Sequence, residues 1–206
     1  MFWNILDEQR RSFLPALGFC RDEGFYLAGG TALALQIGHR DSVDFDLFKP
    51  DAFDTAALFE RLSSSSTGHR FTKVQDEPNT LGVVADGVIK LSFMRYPYAT
   101  LRPLIMADQF DLADLADIGC MKLSAITGRG TMKDYVDLHF ILQRIPLKEL
   151  LALCAVKLPQ LDRALVLKAL VYFDDLDPEP ILYTEGSEVP FRVVQRSLIE
   201  KARRAY

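Results

Sequence analysis

Residues 27–48, LAGGTALALQIGHRDSVDFDLF, combine two adjacent glycines, a run of helix formers and an alternating segment that contains two aspartates. The β-rich run that ends at the glycines predicts a strand, and ALALQI after them predicts a helix. The later alternation separates an apolar face from a polar one: Val43, Phe45 and Leu47 against Ser42, Asp44 and Asp46. The stretch therefore predicts strand, tight turn, helix and strand, with both acids on one face.

Two carboxylates at positions i and i+2 of a strand repel each other unless water or a cation covers them. Mg²⁺ (or Mn²⁺) suits such a pair, because it takes carboxylate oxygens and completes its shell with waters and substrate phosphates. Gly29, Gly30 and Thr31 begin the predicted helix, where free N–H groups and a hydroxyl can hold phosphate. The alternatives are an ordinary turn and an exposed strand face; together, the two features favour a metal with a polyphosphate.

The rest of the chain predicts an α/β half followed by a helical half. Helices are expected at residues 6–24 and 54–62, and strands in RFTKVQ and LGVVADGVIKLSFMRY, with a hairpin turn at Asp86-Gly87. Further helices follow at residues 114–127, 131–143, 147–157, 161–173 and after Pro190. We expect an α/β core at residues 1–112 and a helical half at residues 113–206, packed as one compact body with the ligand site between them. The Pro-rich residues 176–190 are expected to wrap across the surface as a loop.

Composition and charge narrow the function classes. The chain has 206 residues, 49% of them apolar, and a net charge of -4, which argues against a protein that coats duplex nucleic acid through a general positive field. A local contact is left open by the C-terminal run RVVQRSLIEKARRAY, although an amphipathic helix that docks on the core is the favoured alternative. Three widely spaced cysteines, no signal peptide and no long apolar run predict a cytoplasmic protein with reduced thiols and no membrane contact.

A family resemblance rests on two blocks. The segment GGTALALQIGHRDSVDFDLF resembles motif I of the nucleotidyltransferase superfamily, and specifically of the AbiEii/AbiGii-toxin-like family. The segment DIGCMKLSAITGRGTMKDYVDLHFIL looks like that family's later motifs, and YFDD at residues 172–175 is similar to a further one. The matching positions of the later motifs are Lys122, Arg129, Lys133, Asp134 and Asp137.

The resemblance implies a nucleotidyltransferase-type mixed sheet with flanking helices, followed by a C-terminal helical bundle. It implies that Asp44 and Asp46 bind Mg²⁺ and that Lys122 acts with them in catalysis. The residues it implies for nucleotide binding are Gly29, Gly30, Thr31, Arg40, Ser42, Arg129, Lys133 and Asp134. It also implies an NTP substrate, an RNA (transfer RNA in some relatives) or other hydroxyl acceptor such as a protein, and a cognate antitoxin.

The second block can also be interpreted without the family. Lys122 lies in the apolar segment IGCMKLSAI, where a bare ammonium needs a partner, and a ligand contact is the favoured interpretation. Lys133 and Asp137 are spaced as an i,i+4 ion pair, which is as good an explanation as a site role. His39 is more typical of a hydrogen-bonding loop residue than of a catalytic base, and His69 and His139 are expected to be structural.

One position departs from the family pattern. Active members supply a third carboxylate from a later strand, and the corresponding strand GVIKLSFMRY offers Ser92. Asp76 and Glu77 are possible substitutes. Two hypotheses follow: an active nucleotidyltransferase, or a degenerate relative that binds nucleotide or a protein partner without catalysis. P-loop, protein-kinase and Rossmann dinucleotide motifs are not found in the sequence.

Overall fold

The structure, a computed structural model, describes residues 1–205. A mixed seven-stranded sheet carries helices on its faces and is followed by a helical region. The strands are β1 Tyr26–Ala28, β2 Phe45–Lys49, β3 Phe71–Glu77, β4 Thr80–Ala85, β5 Ile89–Arg95, β6 Ile105–Met106 and β7 Asp111–Leu112. The helices are α1 Glu8–Phe13, α2 Phe19–Asp22, α3 Gly29–Ile37, α4 Thr55–Ser65, α5 Leu115–Ala125, α6 Met132–Ile141, α7 Leu147–Lys157, α8 Arg163–Ala169 and α9 Phe191–Ala205.

The sheet order, β3-β4-β5-β2-β1-β7-β6, puts the predicted acid strand in the centre. β2 runs antiparallel to β1 and parallel to β5. Its register pairs Asp46 with Ala28 on one side and with Ser92 on the other. β2 therefore lies between the end of β1, where α3 begins, and the middle of β5. The side chain of Asp46 is close to both.

Apolar alternation determines which face of the central strands is buried. Phe45 and Leu47 of β2 and Leu91 and Phe93 of β5 are buried in the core. Each fully buried side chain of this size contributes about 1.5–3 kcal/mol relative to an exposed one. A one-residue slip of β2 would move Asp46 into that core, so the apolar face fixes the position of this acid.

Several predicted elements differ from the observed ones. The expected helix at residues 6–24 is divided into α1, a 3-10 segment Leu14–Leu17 and α2, because Pro15 cannot continue the α-helical hydrogen bonding. The helix expected at residues 161–173 is only α8, and the Tyr135 hydroxyl lies within hydrogen-bond distance of the carbonyls of Ala169, its last residue, and of Tyr172 beyond its end. β6 and β7 were not predicted. The hairpin turn at Asp86 and Gly87 is confirmed, with positive φ at both residues.

The helical region packs on the sheet through α3, which contacts α5 and α6, while α9 packs on α6 and α7. One apolar cluster runs from the strands through these helices. Residues 176–190 form a loop that lies along the start of the acid segment: Tyr183 makes an isolated bridge with Arg40, and the Asp41 N–H donates to the Leu182 carbonyl at 2.7 Å. Within residues 1–205, none of the helices is both long and apolar enough for a membrane span.

Candidate active site

A cleft of about 740 Å³ separates the polar face of the sheet from the start of the helical region. It contains most of the sequence-predicted site residues. Those that line it are Gly30, Arg40, Ser42, Asp44, Asp46, Lys122, Arg129, Lys133 and Asp134. Gly29 and Thr31 lie next to the cleft rather than in its lining, and the YFDD residues 172–175 lie elsewhere, in the turn after α8.

The sheet wall of the cleft is formed by Asp44, Asp46 and Ser92. Burial raises the pKa of Asp46, and the negative charge of Asp44 raises it further. Lys122, a hydrogen bond with Ser92 and Arg129 lower it only in part. The net upward shift means that the cations around Asp46 do not fully offset its burial and the repulsion from Asp44.

Gly29 allows the start of α3 to approach the acids closely. Its φ of 68° is in the left-handed region, and a Cβ there would lie 2.7 Å from Asp46 Oδ2. The helix also lacks a side-chain cap, since the residue at the N-cap position is Ala28. The first N–H groups of α3 are therefore available next to the carboxylate of Asp46.

Thr31 has a different place from the one expected. Its side chain is buried, and its hydroxyl donates to the Asp44 carbonyl and lies 2.8 Å from the Ser42 hydroxyl. These bonds tie α3 to the segment that leads into β2. The described contacts of Thr31 thus position Ser42 and Asp44, and its phosphate contact remains a prediction.

The helical wall is built around Lys122, near the end of α5. Its ammonium lies 2.7 Å from Asp134 Oδ1 and 2.7 Å from Asp137 Oδ2, both on α6. Asp134 also caps α6, because its second oxygen accepts the Thr131 N–H at 2.9 Å. Burial lowers the pKa of Lys122, but the two aspartates outweigh burial and the net shift is upward, so the lysine is charged and fully paired.

Asp137 is the centre of this wall and is fully buried. Arg40 donates to both of its oxygens, from Nε at 2.7 Å and from Nη2 at 2.9 Å, and His39 Nε2 lies 2.9 Å from Oδ1. Burial raises the pKa of Asp137, but Lys122 and Arg40 outweigh it and hold the pKa well below its usual range. Burial lowers the pKa of His39, which fits the expected role of a hydrogen-bonding residue.

Two further cations line the helical side with different surroundings. Lys133 is held by Glu179 of the 176–190 loop, with Nζ 2.9 Å from Oε2 and the backbone N–H 3.1 Å from Oε1. Arg129 is exposed in the turn between α5 and α6, and among residues 1–205 its guanidinium has no carboxylate within 4 Å. Arg129 is thus available to an anion, whereas Lys133 must first exchange its partner.

Three expectations are corrected by the structure. Lys133 pairs with Glu179 and not with Asp137, because Asp137 faces inward to Arg40. Val43 is 41% exposed, since residues 41–44 precede β2 and the Arg10 side chain binds the Val43 carbonyl. Asp76 and Glu77 are absent from the cleft lining, where Gln75 and Thr80 are found instead.

Ser92 lies where the strand alternation predicted it, directly across from Asp46. Among residues 1–205, no group of three or more acidic, histidine or cysteine side chains is arranged to hold a metal. The sheet wall thus offers two carboxylates and a hydroxyl, which still suits Mg²⁺, because this ion commonly binds through one or two carboxylates and substrate phosphates.

Three residues of the site were missed or underrated. Asp137 matched the family motif but was not selected, although Lys122, in an apolar segment of the same block, needs acidic partners and Asp137 is one of the two that it has. Glu179 and Leu182 come from the 176–190 loop, and nothing in their local pattern indicates a cleft. Only the expectation that this loop crosses the surface pointed toward them.

The comparisons with known proteins agree with this geometry. Residues 21–192 match the family described as nucleotidyl transferase AbiEii toxin, type IV TA system. The chain belongs to this AbiEii nucleotidyltransferase family. A protein of Aquifex aeolicus (strain VF5), the uncharacterized protein aq_aa25, is 39% identical over 183 residues, which cover 84% of each chain.

Two solved structures share the fold of this AbiEii family member. JHP933 from Helicobacter pylori aligns with a TM-score of 0.58 at 15% identity, over 100% of this chain and 93% of the other. MenT4, the nucleotidyltransferase toxin Rv2826c of Mycobacterium tuberculosis H37Rv, aligns with a TM-score of 0.59 at 16% identity, over 91% and 80%. The sheet with flanking helices is therefore a nucleotidyltransferase fold, and the family supports nucleotidyl transfer as the function.

Proposed function

We propose that this protein is a Mg²⁺-dependent nucleotidyltransferase that moves a nucleotidyl group from an NTP to an RNA hydroxyl or another hydroxyl acceptor. The observation that carries the proposal is the sheet wall. Asp44 and Asp46 share the cleft, and the pKa of Asp46 is raised by burial and by the charge of Asp44. A protein retains such an unfavourable pair when a ligand neutralises it, and a divalent ion is the ligand that carboxylate oxygens favour.

The surroundings of the acids fit a triphosphate. The uncapped start of α3 is next to Asp46, and a Cβ at Gly30 would come 2.6 Å from Arg40 Nη2. Only glycines leave the backbone N–H groups exposed at such close range. Arg129 is the cation of the cleft that has no carboxylate partner among residues 1–205, so we assign it to the phosphates ahead of Lys133.

The proposed reaction is attack of an acceptor hydroxyl on the α-phosphorus with release of pyrophosphate. Asp44 and Asp46 would hold Mg²⁺, which when bound supplies Lewis-acid stabilisation of the phosphate charge. Arg129 orients the phosphates and adds positive charge. Lys122 is buried and fully paired, so it acts on the site mainly by holding Asp134, the cap of α6, in place.

The family description also supports a partner. A type IV toxin-antitoxin system contains a second protein that counteracts the toxin, and we include a cognate antitoxin in the proposal.

A degenerate relative is the second candidate, and Ser92 is the observation that favours it. Ser92 faces Asp46 where a third acid would complete the metal ligands, and a hydroxyl does not replace a carboxylate's charge. Such a protein would bind nucleotide or a partner in the same cleft without transfer.

Labelled nucleotide transfer separates the two candidates. Purified protein is incubated with each α-labelled NTP, Mg²⁺ and total RNA, and the label in RNA is measured beside that in protein. The Asp44→Asn/Asp46→Asn variant is the matched control, because it keeps side-chain size and removes both charges. Mg²⁺-dependent labelling by the wild type alone supports the enzyme, while nucleotide binding without labelling of any acceptor supports the degenerate relative.

A further inference from the structure

We infer that the outer face of α9 is a binding surface for the phosphate backbone of RNA, and that it extends the candidate active site on its helical side. The inference rests on the proposed function, since the RNA concerned is the acceptor. It assigns a surface to residues that the cleft does not use.

The charge of α9 is opposite to that of the chain. This helix contains five basic residues and one acidic residue, a net charge of +4, whereas the whole chain has -4. The residues outside α9 therefore sum to -8. A helix face that is merely solvated usually mixes both signs, which is not the case here.

The basic residues divide into two groups by their contacts. Lys201 turns inward and donates to the Leu142 carbonyl at 2.9 Å, and Arg204 pairs with Glu200. Arg192, Arg196 and Arg203 are exposed, and within residues 1–205 none of the three has a carboxylate within 4 Å. Three arginines of α9 are thus available to an external anion.

Their spacing places these arginines in one row. At 100° per residue, positions 192, 196 and 203 lie within about 40° of each other, and at 1.5 Å per residue the row is about 17 Å long. They line a shallow groove together with Gln195, Ile199 and Glu200. Arginine binds phosphate through two parallel N–H donors, so a row of this length suits a polyanion with regularly spaced phosphates better than a single small ion.

The inner face of α9 explains its helical structure but not its charge. Val194, Leu198 and Ala202 are buried against α6 and α7. A helix with a neutral outer face could make the same buried contacts, so packing does not require the arginines. The docking function expected for α9 is confirmed, and the arginine row is an additional feature.

The first residue of α9 is connected to the helix that borders the cleft, α6, through packed aromatic side chains. Phe191, the first residue of α9, packs on Phe173 with ring centroids 6.1 Å apart, and Phe173 packs on Tyr135 at 5.2 Å. Tyr135 follows Asp134, which lines the cleft. The start of α9 is therefore linked through these rings to α6, whose first turn contributes Asp134 to the cleft.

Salt-dependent RNA binding tests this surface. The variant Arg192→Gln/Arg196→Gln/Arg203→Gln is compared with Arg11→Gln/Arg70→Gln/Lys148→Gln, which removes three exposed charges elsewhere. The probe is a labelled hairpin RNA with a single-stranded 3′ tail, titrated at several KCl concentrations with folding checked by thermal melting. The α9 variant should bind more weakly, and its slope of log K against log salt should fall by about 2, because each single-strand phosphate contact contributes about 0.7. The control variant should keep the wild-type slope.

Two results would overturn the inference: equal slopes for the α9 and control variants, or a loss of binding to a polyglutamate peptide that matches the loss for RNA. The second result would assign the row to an acidic protein partner. Nucleotide titration distinguishes this failure from failure of the proposed function. If both triple variants bind NTP like the wild type while RNA binding is unchanged, the α9 surface is wrong and the nucleotide site stands.

Discussion

The two walls of the cleft differ in how far their charges are satisfied within the protein. On the helical wall, Lys122 and Arg40 surround Asp137 at 2.7–2.9 Å, and Lys122 reaches Asp134 as well. On the sheet wall, Asp44 and Asp46 share one face, and the net effect of their surroundings raises the pKa of Asp46. The buried charges of the helical wall are thus paired within the protein, whereas burial and repulsion at Asp46 are not fully offset.

This difference suggests different roles for the two walls: the helical wall stabilises the fold, and the sheet wall binds the ligand in our proposal. Lys122 is buried with two carboxylates at 2.7 Å, so its main contribution is to fix α5 against α6. An unneutralised acid pair destabilises the free protein and gains from a cation. Family resemblance alone suggested that both walls touch the nucleotide, whereas we propose direct binding for the sheet wall, α3 and Arg129 only.

The largest expected effect comes from Asp137→Asn. This change leaves Lys122 and Arg40 facing a neutral amide in a buried site, and removing one partner of such a network costs about 3–5 kcal/mol. Urea unfolding measures the loss, with Lys133→Gln as the control, since an exposed pair contributes at most about 1 kcal/mol. A stability of Asp137→Asn equal to that of the control would show that the helical wall is not held by this acid.

The pH dependence sharpens this prediction. The folded-state pKa of Asp137 is lowered, so its contribution to stability is present above its unfolded pKa and is lost as pH falls toward the folded value. The difference in free energy of unfolding between wild type and Asp137→Asn should therefore shrink as pH falls from 7 into the acid range.

Asp46→Asn is the corresponding change on the sheet wall, with opposite consequences. We expect nucleotidyl transfer to fall at least about 100-fold, which is about 2.7 kcal/mol of transition-state stabilisation. Because the folded-state pKa of Asp46 is raised, its ionised form opposes folding, and without metal the variant should be more stable than the wild type at pH 7. That advantage disappears as pH falls and the wild-type acid is protonated. A variant less stable than the wild type at pH 7 would contradict an unneutralised sheet wall.

Ser92→Asp adds a third carboxylate across from Asp46. It should tighten Mg²⁺ binding about tenfold, or 1.4 kcal/mol, and should lower the stability of the metal-free protein through added repulsion. Ser92→Asn keeps the size without the charge and serves as the control. Calorimetric titration with Mg²⁺ measures the change, and unaltered affinity would mean that the side chain at position 92 does not reach the ion.

The smallest effect is expected from Glu179→Gln, which releases Lys133 from the 176–190 loop. NTP affinity should rise by up to about fivefold, because an exposed ion pair contributes at most about 1 kcal/mol. Lys133→Gln is the matched change and should not raise affinity. If Glu179→Gln weakens NTP binding instead, the loop contact supports the site rather than competing with the ligand.

The features that follow from short-range periodicity could be predicted from the sequence. The alternation around Phe45 and Leu47 places the acids, and the alternation in β5 places Ser92 opposite them, because a strand's side chains repeat every two residues. Asp86-Gly87 specifies its turn through positive φ. β6 and β7 have two residues each, too few to show a pattern. The helical periodicity of residues 6–24 does not reveal the break that Pro15 causes.

Partners that are distant in sequence could not be predicted. Helical spacing allows Lys133 to reach Asp137, yet Asp137 turns toward Arg40, which is 97 positions away and arrives through the packing of α3 on α6. The pairing of Lys133 with Glu179 depends in the same way on the path of the 176–190 loop. The cleft-lining residues of α3 and β2 were identifiable because their chemistry is local, whereas the paired state of Lys122 depends on tertiary structure.

The most direct test of the unneutralised sheet wall is calorimetric titration of the four NTPs into wild type and Asp44→Ala/Asp46→Ala, each with and without Mg²⁺. The account predicts that at least one NTP binds the wild type only when Mg²⁺ is present, and that the double variant loses this metal-dependent binding while it remains folded. NTP binding by the wild type that is equally tight without Mg²⁺, or that survives in the double variant, would contradict it.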